Sequence, residues 1–117
     1  MNVSCEFTKK YSVDERIQKV NNMRQKFPTK VPIVIIFSKD FNHCTDKQFL
    51  IDSQMTLGNF ICILRKQHIQ LKPSEAIFCL INNILPPITE LIVTLYTSYA
   101  SSDGILYIHI KKESTFG

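Results

Sequence analysis

The longest apolar stretches of the chain are β-branched and nearly free of polar interruption. Val31 to Phe37 and Ile105 to Ile110 have no wet face, which predicts strands buried on both sides in the middle of a sheet. Gln48 to Asp52 is shorter and more polar at its ends, as suits a sheet edge, and Ala76 to Ile81 reads as a further strand. Elsewhere the apolar positions recur at helical spacing. Ser12-Val13-Asp14-Glu15 fits a capping box, and Ile17, Val20, Met23 or Arg24, and Phe27 then form one stripe up to Pro28, which ends the helix. Thr56 caps a second helix from Leu57 to about Ile69, with Leu57, Phe60, Ile61, Leu64 and His68 on one face. Thr89 to Tyr99 predicts a short helix. Before Ser12 the pattern is weak: Phe7 and Tyr11 are spaced to pack, and Lys9 and Lys10 face water. Residues 38–47 and 100–104 are polar connections, Pro73-Ser74-Glu75 is a turn, and Asn82-Asn83 opens another.

The resulting order is helix, strand, strand, helix, strand, short helix, strand. Two hairpin strands, a crossing helix and two more strands make an α+β chain of β-grasp (ubiquitin-like) type, with a four-stranded mixed sheet. That order sets the first and last strands side by side and parallel at the centre, where the most apolar segments belong. A ferredoxin-like order would put the long helix after the first strand. The expected division is a helical extension over residues 1–28 and a core over 29–117 ending in a flexible tail, all within one domain.

At 117 residues the chain buries a core without metal or disulfide staples. Its net charge of +4 is spread along the sequence and makes no case for nucleic acid. Cys5, Cys44, Cys62 and Cys79 lie far apart with no metal-ligand spacing. They read as reduced thiols of a cytosolic protein, Cys62 and Cys79 serving as small hydrophobes within apolar runs. No apolar run follows a basic start, and none is long enough to span a membrane. Three glycines cannot build a nucleotide loop, no nucleophile elbow is present, and His43, His68 and His109 are scattered. The expectation is a protein that is not an enzyme and carries no metal or cofactor.

Several strings then stand out in order. Lys26-Phe27-Pro28-Thr29-Lys30-Val31-Pro32-Ile33-Val34, Gln48-Phe49-Leu50-Ile51, Met55-Thr56-Leu57-Gly58-Asn59-Phe60, Ile81-Asn82-Asn83-Ile84-Leu85-Pro86-Pro87, Asp103-Gly104-Ile105-Leu106-Tyr107-Ile108 and Glu113-Ser114-Thr115-Phe116-Gly117 follow one another. Together they resemble the ubiquitin-like autophagy modifiers of the GABARAP and microtubule-associated-protein light-chain-three type. The resemblance runs from about Tyr11 to Gly117, and the added N-terminal helix is a mark of that family.

The resemblance implies that Gly117, preceded by Phe116, is the conjugation site. Activating and conjugating enzymes of the autophagy system would carry it to phosphatidylethanolamine, after a cysteine protease had removed any residues beyond it. A lipid joined in this way would supply membrane affinity that the sequence lacks, so the expected locations are the cytoplasm and the autophagosome membrane. The resemblance also implies capture of cargo receptors bearing an aromatic-x-x-aliphatic motif, added as a strand to the second strand's edge. Carried over by position, the aromatic pocket falls on Met23, Lys30, Pro32, Leu50 and Ile105, and the aliphatic pocket on Phe49, Ile51, Met55, Phe60 and Ile63. Departures include Asp46-Lys47-Gln48 in place of a basic run, which would hold acidic flanks of a ligand less well, and Asp52 in place of a proline. Two alternatives stand beside this reading: a modifier conjugated to protein, of the autophagy-related protein twelve type, and an unconjugated peptide-binding adaptor.

Overall fold

A computed structural model describes residues 5–39, 41, 46–67 and 76–113. In chain order it contains α1 (Glu6–Lys10), α2 (Val13–Lys26), β1 (Lys30–Phe37), β2 (Lys47–Asp52), α3 (Leu57–Gln67), β3 (Ile77–Leu80), α4 (Ile92–Tyr99) and β4 (Leu106–Lys112). Gly117, Phe116, His43, His68, Cys44 and the turn expected at 73–75 lie outside the described residues.

The strands form one sheet in the order β2-β1-β4-β3. β1 runs parallel to β4, with Val34 opposite Tyr107 and Ile35 opposite Ile108, while β2 and β3 pair antiparallel on the two flanks. The central strands are apolar over residues 31–37 and, except for half-buried His109, over residues 106–110, and both of their faces are covered. On one face Val31, Ile33, Ile35, Leu106, Ile108 and Ile110 pack under Leu57, Phe60 and Leu64 of α3 and Ile92 and Leu95 of α4. On the other, Val34, Ile105 and Tyr107 lie beneath Cys5, Phe7 and Val20.

The capping box at Ser12 forms as expected: Glu15 N–H donates to Ser12 Oγ (3.2 Å) and Ser12 N–H to Glu15 Oε1 (3.0 Å). Thr56 Oγ1 accepts from Asn59 N–H at 3.2 Å at the start of α3. Other expectations need correction. α1 was not anticipated; five residues are too few to carry a periodic signal. The α2 stripe is narrower than expected, with Val20 buried and Met23 half-buried but Ile17 and Phe27 exposed at its margins. Cys62 is exposed, because helical periodicity turns it outward from an otherwise apolar run. α4 begins at Ile92, three residues after Thr89, because Ile92 N–H and Val93 N–H donate to Met55 and Ser53 carbonyls (2.8 and 3.0 Å). Among the described residues, no helix is long and apolar enough to cross a membrane.

Candidate functional site

β2 is an edge strand, paired only with β1 among the described strands. Its period-2 alternation sends Gln48 and Leu50 to the α1–α2 side and Phe49 and Ile51 to the α3 side. The ten residues expected to form pockets therefore divide between two faces of the same strand.

On the α1–α2 side the structure brings Met23, Pro32, Leu50 and Ile105 together in one groove with a cavity volume of about 110 Å³. Phe7, Ile33, Val34, Gln48 and Phe49 complete its lining. The sheet supplies its floor, α2 one wall through Met23, and α1 another through Phe7. Lys30 does not join this lining. It is exposed opposite Asp52, with its ammonium 5.9 Å from the centre of the Phe27 ring. Sequence reasoning missed Phe7, although its i,i+4 spacing to Tyr11 was the available signal.

On the α3 side, Ile51 and Phe60 are buried, and the rings of Phe49 and Phe60 meet edge-to-face at 5.4 Å. Met55 packs against the same core. Phe49 and Met55 are half-buried over this core, of which Phe60 is part, while Ile63 is half-buried on α3 and is not among the side chains packed on that cluster.

The groove's helical walls are fixed by polar contacts that bridge distant parts of the chain. Arg16 Nε donates to Asp103 Oδ2 (3.0 Å), and its Nη1 donates to the carbonyls of Thr8 (3.1 Å) and Tyr11 (2.6 Å). Asp103, buried, also accepts from Tyr107 O–H (2.6 Å) and Ile105 N–H (3.0 Å). Burial first, and then the bond to the Asp103 carboxylate, pushes the Tyr107 phenol far above its ordinary range, so it remains a donor. Phe7 N–H donates to Asp46 Oδ2 at 3.2 Å, which ties α1 to the approach of β2. Lys19 lies one turn before Met23 on α2, its ammonium 4.4 Å from the Tyr11 ring centre, and gives this flank a basic character. Next to Asp103, Gly104 adopts φ +84°, and a Cβ there would sit 2.9 Å from Val20 Cγ1.

With this geometry in view, comparison with known proteins is decisive. The family model described as "Autophagy protein Atg8 ubiquitin like" matches residues 15–117. The chain belongs to the Atg8 family. Autophagy-related protein 8 of Schizosaccharomyces pombe is 35% identical over 114 residues, covering 96% of this chain and 93% of that one. Autophagy-related protein 8h of Arabidopsis thaliana is 34% identical, covering 95% and 94%. Among solved Atg8 structures, that of Trypanosoma brucei ATG8 superimposes with a TM-score of 0.86 at 26% identity, covering 98% of this chain and all of that one. Plasmodium falciparum Atg8, solved with a Plasmodium falciparum Atg3 peptide, gives a TM-score of 0.75 at 25% identity, covering 94% and 95%. This Atg8-family chain thus has the ubiquitin-like fold expected of it, with the N-terminal helices added on the sheet face opposite α3 and α4.

Proposed function

We propose that this chain is a ubiquitin-like modifier, not itself an enzyme, that is joined through Gly117 to phosphatidylethanolamine and recruits partners at the autophagosome membrane. In this reading the Gly117 carboxylate is adenylated with loss of pyrophosphate, then passes to enzyme cysteines as a thioester with loss of AMP. Attack by the lipid amine forms an amide and frees the thiol. Family membership and the fold support this chemistry. The observation that carries the partner half of the reading is the apolar groove lying directly beside the edge strand β2. An extended peptide can pair with that edge through its main chain and place alternate side chains on either side of it. The aromatic side chain of an aromatic-x-x-aliphatic motif enters among Met23, Pro32, Leu50 and Ile105, with Lys30 at the margin. The aliphatic one rests on Phe49, Ile51, Met55 and Ile63 above Phe60. Partners in this reading are conjugation-system enzymes, which the Plasmodium neighbour's Atg3 peptide supports, and cargo receptors.

The test has two readouts. Intact mass is measured after incubation with the activating and conjugating enzymes, ATP and phosphatidylethanolamine vesicles, beside Gly117→Ala. One added phospholipid, absent in the variant, is the expected result. No adduct from enzymes active on a known family member overturns lipid conjugation. Peptide titration against Leu50→Arg is expected to lose binding, and unchanged affinity overturns the groove assignment.

A further inference from the structure

The groove is small for a site that receives an aromatic side chain. A closed apolar cavity of about 150 Å³ accommodates benzene; this groove, about 110 Å³ and half open, takes a single ring only with part of that ring left in its mouth. A fused double ring needs more room than either. The central strands of the floor cannot supply it: Pro32 and Val34 are buried in β1, and Ile105 is 1% exposed with its N–H held by Asp103. Met23 is unbranched and adaptable, so it yields a little. Phe7 does not. It is 6% exposed, its ring lies 5.2 Å from Tyr11 and 6.5 Å from Tyr107, and its N–H is held by Asp46.

Resting on the peptide-binding reading above, we propose that Phe7 is a specificity-determining residue: it limits the groove to a single-ring or branched aliphatic anchor and disfavours the indole of tryptophan. Phe7 does this from α1, a five-residue helix outside the sheet, while packing on Val34, Ile105 and Tyr107. Making the wall smaller widens the groove, and making it larger closes it further. The two changes move selectivity in opposite directions, which a general loosening of α1 would not do.

The experiment titrates the full chain, Phe7→Ala and Phe7→Trp with four peptides that are identical except for Trp, Phe, Leu or Ala at the anchor. The unaltered chain is expected to bind the Phe peptide about tenfold more tightly than the Trp peptide, the scale on which apolar pockets discriminate. Phe7→Ala reverses that order, and Phe7→Trp shifts preference from both aromatic anchors to Leu. Thermal melts establish that each variant is folded, and Phe7→Trp keeps a large apolar group in place if Phe7→Ala frays. A preference for Trp in the unaltered chain, or an order of anchors unmoved by both substitutions, overturns the proposal while leaving the groove as the binding site. Equal binding of the Ala peptide means that the groove takes no anchor, and the peptide reading falls along with the selection.

Discussion

Replacing Arg16 with methionine removes the cation from a pair whose side chains are 12% and 3% exposed. Breaking such a buried pair from one side costs about 3–5 kcal/mol. Asp103 would still accept from Tyr107 and Ile105, so the lower end, about 3 kcal/mol, is expected for Arg16→Met. For a domain of this size that lowers the melting temperature by about 10 °C and leaves a folded protein. Two carbonyls of the α1 segment, those of Thr8 and Tyr11, also lose their donor. The wall carrying Phe7 then loosens, and affinity for groove peptides falls together with stability.

Urea unfolding of the unaltered chain, Arg16→Met, Asp103→Asn and the double variant separates these contributions. The double variant is expected to lose clearly less than the sum of the singles, because each single leaves the other group buried without its partner. Arg16→Lys falls between: a single ammonium keeps the charge but cannot reach the carboxylate and two carbonyls with a guanidinium's fixed fork. The deficit of Arg16→Met should persist in about 1 M salt, where exposed pairs are screened. A loss below about 1 kcal/mol, the range of exposed pairs, or a deficit that vanishes in salt, would refute the argument that burial makes this pair a latch.

Gly104→Ala is expected to cost about 2–4 kcal/mol, from the positive φ and from overpacking against Val20. Val20→Ala should relieve part of it, so additive losses in the double variant would mean that the contact is not felt. Burial first, then Lys111, holds the His109 imidazole below its ordinary 6.5, with Asp46 pulling the other way. The unfolded chain therefore takes up the proton first, and stability falls as pH drops through 6.5 towards the folded value, then levels off. Urea midpoints on either side of that window should show a smaller fall in His109→Gln; an identical pH dependence would count against the assignment. Iodoacetamide on the native chain should modify exposed Cys62, while Cys79, buried and pushed up to about 12, reacts only on unfolding. Peptide mass mapping that found Cys79 labelled as fast as Cys62 would contradict its burial.

The sheet was legible in the sequence because its signals are local. Val31 to Phe37 and the segment after Ile105 are apolar on both faces, and the structure covers both faces. Ser12 and Glu15 are three residues apart and satisfy each other. What escaped depends on partners far along the chain. The start of α4 is decided by the carbonyls of Ser53 and Met55, nearly forty residues earlier, and its own sequence holds no trace of them. α1 is shorter than the length at which helices are stable alone, so it exists through Phe7, which sits in the core and binds Asp46 across a separation of 39 residues.

The same division runs through the groove. Pro32, Leu50 and Ile105 belong to the sheet or its approach, and the family resemblance located them because strand alternation leaves little freedom in where they point. Met23, also located by the resemblance, and Phe7, which was missed, stand on helices tied by Arg16 and Asp103, 87 residues apart. A buried ion pair contributes little net stability compared with well-packed apolar side chains, but breaking it from one side is costly. Here the pair joins Arg16 of α2 to Asp103 in the turn before β4, and the same guanidinium holds the Thr8 and Tyr11 carbonyls of the α1 segment. The floor, built from the sheet, gives the groove its place beside the edge strand. The walls, built from the helices, carry Met23 and Phe7, and under the proposed peptide reading a change at Phe7 is expected to alter which anchor fits while leaving β2 in place.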